Sequence, residues 1–217
     1  HDIDERGLAA YVADTDFSAE TGTPGLIVND ARKAMSLLSA EFYGRPQDEL
    51  TVVGITGTKG KSSTAYYLKY IFDEYLAAKG QVPSGVISSI ETYDGVEKFE
   101  SHLTTPEPLD LERHFANAVA TGIPYLTMEV SSQALKYDRV KNVQFAAAVF
   151  LNIGQDHISP IEHPDFEDYF TSKLRIFAQA AAACVNLDCD HADRVLAAAR
   201  RACPRMITFS QKDPSAT

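Results

Sequence analysis

No apolar run in the 217 residues approaches the ~18 that a membrane-spanning helix requires; the longest clean one is Phe145 to Leu151. Basic residues are scarce as well. The 20 Lys+Arg stand against 30 Asp+Glu, a formal net charge of −10, which argues against a protein that tracks nucleic-acid phosphates. Cysteines number three, Cys184, Cys189 and Cys203, too few for a disulfide framework and without metal-ligand company, so they read as reduced thiols. No signal-peptide pattern stands at the start, which is His1 rather than Met. Internal repeats and low-complexity tracts are absent. These absences point to a cytoplasmic protein with no nucleic-acid or membrane partner; a monomer is expected, and the start at His1 reads as that of a fragment or processed product. At ~150 residues per domain, the length fits one large domain, or one domain and part of another.

What is present reads as alternating strands and helices. The first fifty residues form a small unit: an apolar run at Leu8–Val12, a turn at Gly22–Gly25 and a buried strand at Leu26–Val28. A helix over Ala31–Phe42 follows, capped by Asn29 or Asp30 and closed by Gly44 and Pro46. That unit is too small to bury a core of its own, and the stretch Gly44–Glu49 is the expected domain boundary. From Thr51 on, strands are expected at Thr51–Ile55, Gly85–Ser88, Tyr125–Val130, Phe145–Leu151, Ala182–Asn186 and Met206–Phe209. Helices are expected near Lys61–Ala78, Leu109–Ala120, Phe166–Gln179 and His191–Ala202. Apolar strands separated by amphipathic helices predict an α/β fold, a mostly parallel doubly wound sheet preceded by a partial N-terminal α/β unit. In such sheets ligands bind off the carboxyl ends of the strands.

The first of those ends carries Thr56-Gly57-Thr58-Lys59-Gly60-Lys61-Ser62-Ser63, then a helix. Glycines let consecutive N–H groups turn toward one centre, and the helix N-terminus adds positive potential, so the segment reads as a phosphate loop. Lys61 would reach the β/γ-phosphates and Ser62 a magnesium ion. The strict G-x-x-x-x-G-K-[ST] spacing fails by one place, because Ile55 stands where its first glycine would be. The next strand ends deliver Glu129 with Ser131 and Ser132, and Asn152 with Asp156 and His157. A carboxylate at the tip of a buried strand requires a donor or a metal beside it.

Lys173 is the sharpest local anomaly. Phe166, Phe170 and Phe177 define a helical stripe, and Lys173 falls inside it. Snorkelling to water is the plain explanation; the functional one is a neutral amine that takes up CO2 as a carbamate. Thr105 and Pro106 read as N-cap and first position of the helix that follows, which leaves Thr104 over. Arg139 fits either a surface ion pair or a carboxylate clamp.

Taken together, G-I-T-G-T-K-G-K-S-S, L-T-T-P-E, M-E-V-S-S-Q-A-L, N-I-G-Q-D-H and D-Y-F-T-S-K-L-R-I-F resemble the Mur ligase family, in its order and spacing and over essentially the whole chain. The likeness is greatest to members that add the third peptide residue to the peptidoglycan precursor. It implies that residues 1–48 are part of an N-terminal UDP-binding domain and 49–217 a central ATP-binding domain cut short. The C-terminal amino-acid-binding domain would then be absent and this fragment alone inactive. By the same resemblance, Gly57, Thr58, Lys59, Gly60, Lys61, Ser62 and Ser63 would hold ATP. Ser62, Glu129 and His157 would hold Mg²⁺, and Thr104, Thr105, Ser131 and Arg139 would grip UDP-MurNAc-L-Ala-D-Glu. Lys61, His157 and a carbamylated Lys173 would serve the chemistry, in which ATP makes an acyl phosphate that the incoming amino acid's amine attacks. Gln133 stands where family members commonly have His, and is given no catalytic role. Folylpolyglutamate synthetase is an alternative on the same fold, disfavoured by Ser62 after Lys61. A non-catalytic P-loop module is another; a GTPase of that kind would need N-K-x-D, which does not occur. Lysine is weakly favoured over diaminopimelate as the added residue.

Overall fold

The computed structural model describes residues 2–156 and 158–216; His157, singled out above, lies outside them. A short helix α1 (Asp2–Glu5) leads into β1 (Tyr11–Ala13) and β2 (Gly25–Ile27), which pair in parallel as a separate two-stranded sheet. Then comes α2 (Ala31–Phe42). Its start is set by Asp30, whose carboxylate accepts the Lys33 N–H at 3.0 Å. Its end is set by Gly44 in the left-handed region, where the Gly44 N–H bonds Glu41 O and the Arg45 N–H bonds Ala40 O. The strand expected to be buried at Leu26–Val28 is instead exposed, Leu26 by 59%. Its only strand partner among the described residues is β1, so its apolar side chains face solvent.

A 3-10 turn at Pro46–Asp48 leads into the main domain. Its elements run β3 (Thr51–Thr56), α3 (Lys61–Ala77), β4 (Gly85–Ile87), β5 (Glu91–Tyr93), β6 (Lys98–Glu100), α4 (Pro108–Ala120), β7 (Tyr125–Glu129), α5 (Ser132–Lys136), β8 (Phe145–Phe150), α6 (Phe166–Leu174), β9 (Ala182–Asn186), α7 (Ala192–Ala202) and β10 (Arg205–Phe209). The sheet has the order β10-β9-β8-β3-β7-β4-β5-β6. It is parallel from β10 through β4, and β5 and β6 extend one edge antiparallel. That hairpin was missed from the sequence. Its strands are three residues each, and its one cue is Asp94-Gly95, where the Asp94 carboxylate accepts the N–H groups of Val96 and Glu97.

Both faces of the sheet are covered, as a doubly wound fold requires. On one, Val52, Leu126, Met128, Phe145 and Phe150 meet Leu111 and Phe115 of α4 and Phe170 of α6. On the other, Val53, Ile55, Val86 and Val149 meet Ala65, Leu68 and Phe72 of α3. Chain order reverses across β3. The chain leaves it for β4 on one side and later comes back to β8 on the other, and ligand sites form at such switch points. No helix among the described residues is long and apolar enough to cross a membrane, and all three cysteines are free.

Two helix boundaries differ from expectation. The helix predicted over Phe166–Gln179 stops being α-helical at Leu174 and tightens into a 3-10 turn over Arg175–Gln179, which still buries Phe177 against Phe150. The helix expected from Leu109 begins at Pro108, but its N-cap is Glu107 and the proline of its first turn is Pro108, where Thr105 and Pro106 were expected in those roles. Thr105 is therefore no cap. Its side chain is buried, with a different task described below.

Candidate active site

Backbone first shapes the loop after β3. A Cβ on Gly57 would lie 3.0 Å from Leu151 Cβ and 3.4 Å from the Asn152 backbone N, so a side chain here would push the loop away from the residues that follow β8. Gly60 caps α3 at φ 82°, a left-handed conformation costly for other residues. Asn152 clamps the loop. Its carbonyl accepts the Thr58 N–H at 3.1 Å, its side-chain oxygen the Lys59 N–H at 2.9 Å, and its amide donates to Lys59 O at 3.0 Å. Among the described residues, the N–H groups of Lys61, Ser62 and Ser63 have no acceptor. They stand at the first turn of a 17-residue helix, where N–H groups and helix dipole together favour an anion.

Two lysines converge on one oxygen of that loop. Lys61 Nζ donates to Gly57 O at 3.0 Å and to Thr58 O at 3.3 Å. Lys173 Nζ, from α6, donates to the same Gly57 O at 3.0 Å. Lys173 is 2% exposed, so it does not snorkel; the sequence anomaly is a buried amine. Burial, and secondarily the charge of Lys61, pushes Lys173 down to about 7. Burial lowers Lys61 too, opposed by Glu129. Lys59 points elsewhere, its ammonium 3.0 Å from Asp156 Oδ2. Its backbone is held by Asn152, and its charge adds to the burial that lowers Lys61.

Register fixes the carboxylate. Glu129, at the tip of β7, stands opposite Ile55 of β3 and is 1% exposed. Ser89 accounts for its burial, donating both its N–H at 2.9 Å and its hydroxyl at 3.1 Å to Oε1. The Ser89 hydroxyl also meets the Ser62 hydroxyl at 3.1 Å. Ser62 and Glu129 are thus joined through a residue that no sequence signal marked, in the loop after β4. Both described hydrogen bonds to the carboxylate fall on Oε1.

Beside the loop lies a cleft of about 200 Å³. Lys61 and Lys173 form part of its wall, with Thr104, Thr105, Ser131 and Arg139 among the other lining residues. Thr105 donates its hydroxyl to Glu129 O at 3.0 Å and accepts the Ser131 N–H at 3.1 Å. It joins the tip of β7 to the start of α5, and its hydroxyl is consumed by structure. Thr104 has no such task and is half-buried at the cleft. Ser131 caps α5 by accepting the Ala134 N–H at 3.1 Å. Arg139 pairs with Glu107 at 2.5 Å, the ion pair among its two expected roles, and also donates to the Thr105 backbone O at 3.3 Å.

Two further groups escaped the sequence reading. Tyr169, fully buried, places its hydroxyl 3.1 Å from Thr58 Oγ1 and its ring 4.8 Å from Lys173 Nζ. Behind the cleft, Ser132, His163 and Asp168 form a hydrogen-bonded chain.

The arrangement joins anion-directed N–H groups, two cations, and a carboxylate with a hydroxyl, all at a switch point. Comparison with known proteins identifies the family. Residues 55–217 match the Mur ligase middle domain. The chain is 52% identical over 97% of its length to the UDP-N-acetylmuramyl-tripeptide synthetase of Bifidobacterium longum, and 46% identical over 86% of its length to the UDP-N-acetylmuramoyl-L-alanyl-D-glutamate--L-lysine ligase of Streptococcus pneumoniae. It spans 40% and 37% of those proteins. A solved UDP-N-acetylmuramoyl-L-alanyl-D-glutamate--2,6-diaminopimelate ligase shares the fold with a TM-score of 0.76 at 22% identity, over 95% of this chain and 41% of that one. The chain belongs to the Mur ligase family.

Proposed function

We propose that this chain carries the ATP-binding centre of a ligase that adds the third amino acid to UDP-MurNAc-L-Ala-D-Glu through an acyl phosphate. The observation that carries this reading is the convergence of Lys61 and Lys173 on Gly57 O beside the Ser62–Ser89–Glu129 cluster. Residues 49–217 are the central domain in this reading, and residues 1–48 the end of a UDP-binding domain. In the same reading the incoming amino acid's pocket is formed largely outside this chain.

Each residue has a task that follows from its chemistry. The N–H groups of Lys61, Ser62 and Ser63 receive phosphate oxygens, and the Lys61 ammonium offsets the charge that develops on the transferred phosphoryl group. Thr104 and Arg139 orient the acceptor carboxylate, with Ser131 beside them. The donor set also fits Mg²⁺. A buried carboxylate anchored through one oxygen, next to a hydroxyl, offers the hard oxygen ligands that this ion prefers. Ser62 and Glu129 would hold it, and it would supply Lewis-acid charge compensation between phosphates. His157 belongs with them by the family resemblance. Lys173, as a carbamate, would be an anion orienting the metal's ligands.

Calorimetric titration with ATP tests the site directly. Binding is expected to tighten at least tenfold when Mg²⁺ is added, and Glu129→Gln is expected to remove most of that gain without abolishing binding of ATP alone. ATP binding that is indifferent to Mg²⁺ in the unaltered protein would count against the assignment of Ser62 and Glu129.

A further inference from the structure

His163 is wholly enclosed at 0% exposure, yet both its ring nitrogens are used. Nδ1 is 2.6 Å from Asp168 Oδ2, and Nε2 is 2.9 Å from Ser132 Oγ. Asp168 is kept ionised by Lys136, whose ammonium lies 2.6 Å from the same oxygen; that bond, with the one from His163, holds the carboxyl below its ordinary range. An ionised carboxylate only accepts, so Nδ1 carries a proton, and in the neutral ring Nε2 is the lone pair that takes the Ser132 hydroxyl proton. Ser132 is among the residues that line the cleft, and what its hydroxyl then offers a ligand is its lone pairs. The other titratable groups around the ring are Tyr169, packed edge-on at 5.2 Å, and the neighbouring Glu162. Glu162 also lines the cleft and accepts from Gln133 Nε2 at 3.3 Å.

We infer that Asp168, His163 and Ser132 form a proton relay that receives the proton of the attacking amine, an inference that rests on the ligase reading above. An amino acid arrives as an ammonium and is not nucleophilic until it loses one proton. That N–H meets the Ser132 oxygen, the only described partner of which is His163. The proton passes to Ser132 Oγ as the proton of Ser132 passes to His163 Nε2, and the imidazolium is stabilised by Asp168. The freed nitrogen lone pair then forms the C–N bond while the C–O bond to phosphate breaks with its electron pair. The second amine proton leaves with the phosphate, and His163 returns the first to solvent. The cations Lys61 and Arg139 on the cleft walls favour the neutral amine, while Glu162 draws the incoming ammonium toward the cleft. Ser132 touches the reacting group; His163 and Asp168 act through it as positioning residues.

The test compares two nucleophiles in the full-length protein supplied with ATP, Mg²⁺ and UDP-MurNAc-dipeptide. Hydroxylamine is already neutral at pH 7 and requires no base, whereas the amino acid does. In His163→Gln, and independently in Ser132→Ala, the ratio of amide to hydroxamate formed is expected to fall at least ~100-fold. Both products come from the same folded molecules, so partial misfolding cancels in the ratio. Amide formation by His163→Gln should also climb about tenfold per pH unit above neutrality, as free amine accumulates, while the unaltered enzyme stays nearly flat. A ratio unchanged in both variants overturns the relay and leaves the ligase reading standing. Absence of hydroxamate from the unaltered protein overturns the ligase reading, and the relay with it.

Discussion

Replacing Lys61 with alanine is expected to lower ATP-dependent turnover at least ~100-fold while leaving the fold intact. The expectation follows from where the ammonium is used. Its described hydrogen bonds go to the carbonyls of Gly57 and Thr58, in its own loop, and no ion pair among the described residues ties it to the core. Removing it leaves α3 anchored through Ala65, Leu68 and Phe72 and leaves the Asn152 clamp on the loop untouched. What disappears, in the proposed site, is the positive charge that would face the transferred phosphoryl group, which counts most in a poorly solvated cleft. The measurement is a steady-state rate together with a thermal melt. Near-normal turnover with unchanged ATP affinity would exclude Lys61 from the phosphate site.

Lys173→Ala is expected to be inactive and to regain part of its turnover when a short carboxylic acid is supplied. The amine is buried between Gly57 O and the Tyr169 ring. With Lys61 donating to the same oxygen, the neutral form of Lys173 is favoured, and burial sets its pKa at about 7. A lysine depressed in this way is protonated below that value and neutral above it, and only the neutral amine takes up CO2. The carbamate, and with it turnover, should therefore increase with bicarbonate and as the pH rises from about 6 to 8. The sign for stability is the same. Between the folded value and the ordinary lysine value of 10.5, the unfolded chain binds the extra proton, so stability rises with pH across that window. A fully active Lys173→Ala, or activity insensitive to bicarbonate, would reduce Lys173 to a buried structural amine.

Much of this site was legible because its parts are local. The loop, its helix and the strand-end residues Glu129 and Asn152 are read from runs of a few residues, and parallel order then brings the strand ends together. Lys173 was legible as a conflict between a charge and a helical stripe. What failed was either short or distant. The cap was placed at Thr105 because Thr-Pro is a good helix start, but Glu107-Pro108 offers an equivalent start two residues on. Thr105 is instead recruited by Glu129 O and the Ser131 N–H, a tertiary demand with no local trace. Ser89 meets Glu129 across 40 positions of chain, and His163 meets Ser132 across 31. Neither contact has a periodicity to betray it. The exposed β2 reflects the converse limit, because apolar composition marks a surface to be covered without saying what covers it.

The central claim is tested most directly by the mass of the product. Full-length protein is incubated with ATP, Mg²⁺, UDP-MurNAc-L-Ala-D-Glu and, in parallel, lysine or diaminopimelate, and the nucleotide pool is analysed by mass spectrometry. The account predicts one UDP-MurNAc-tripeptide, with ADP and phosphate in equal amounts and lysine the favoured substrate. ATP hydrolysed without tripeptide in either reaction, or a tripeptide formed without ADP, would contradict it.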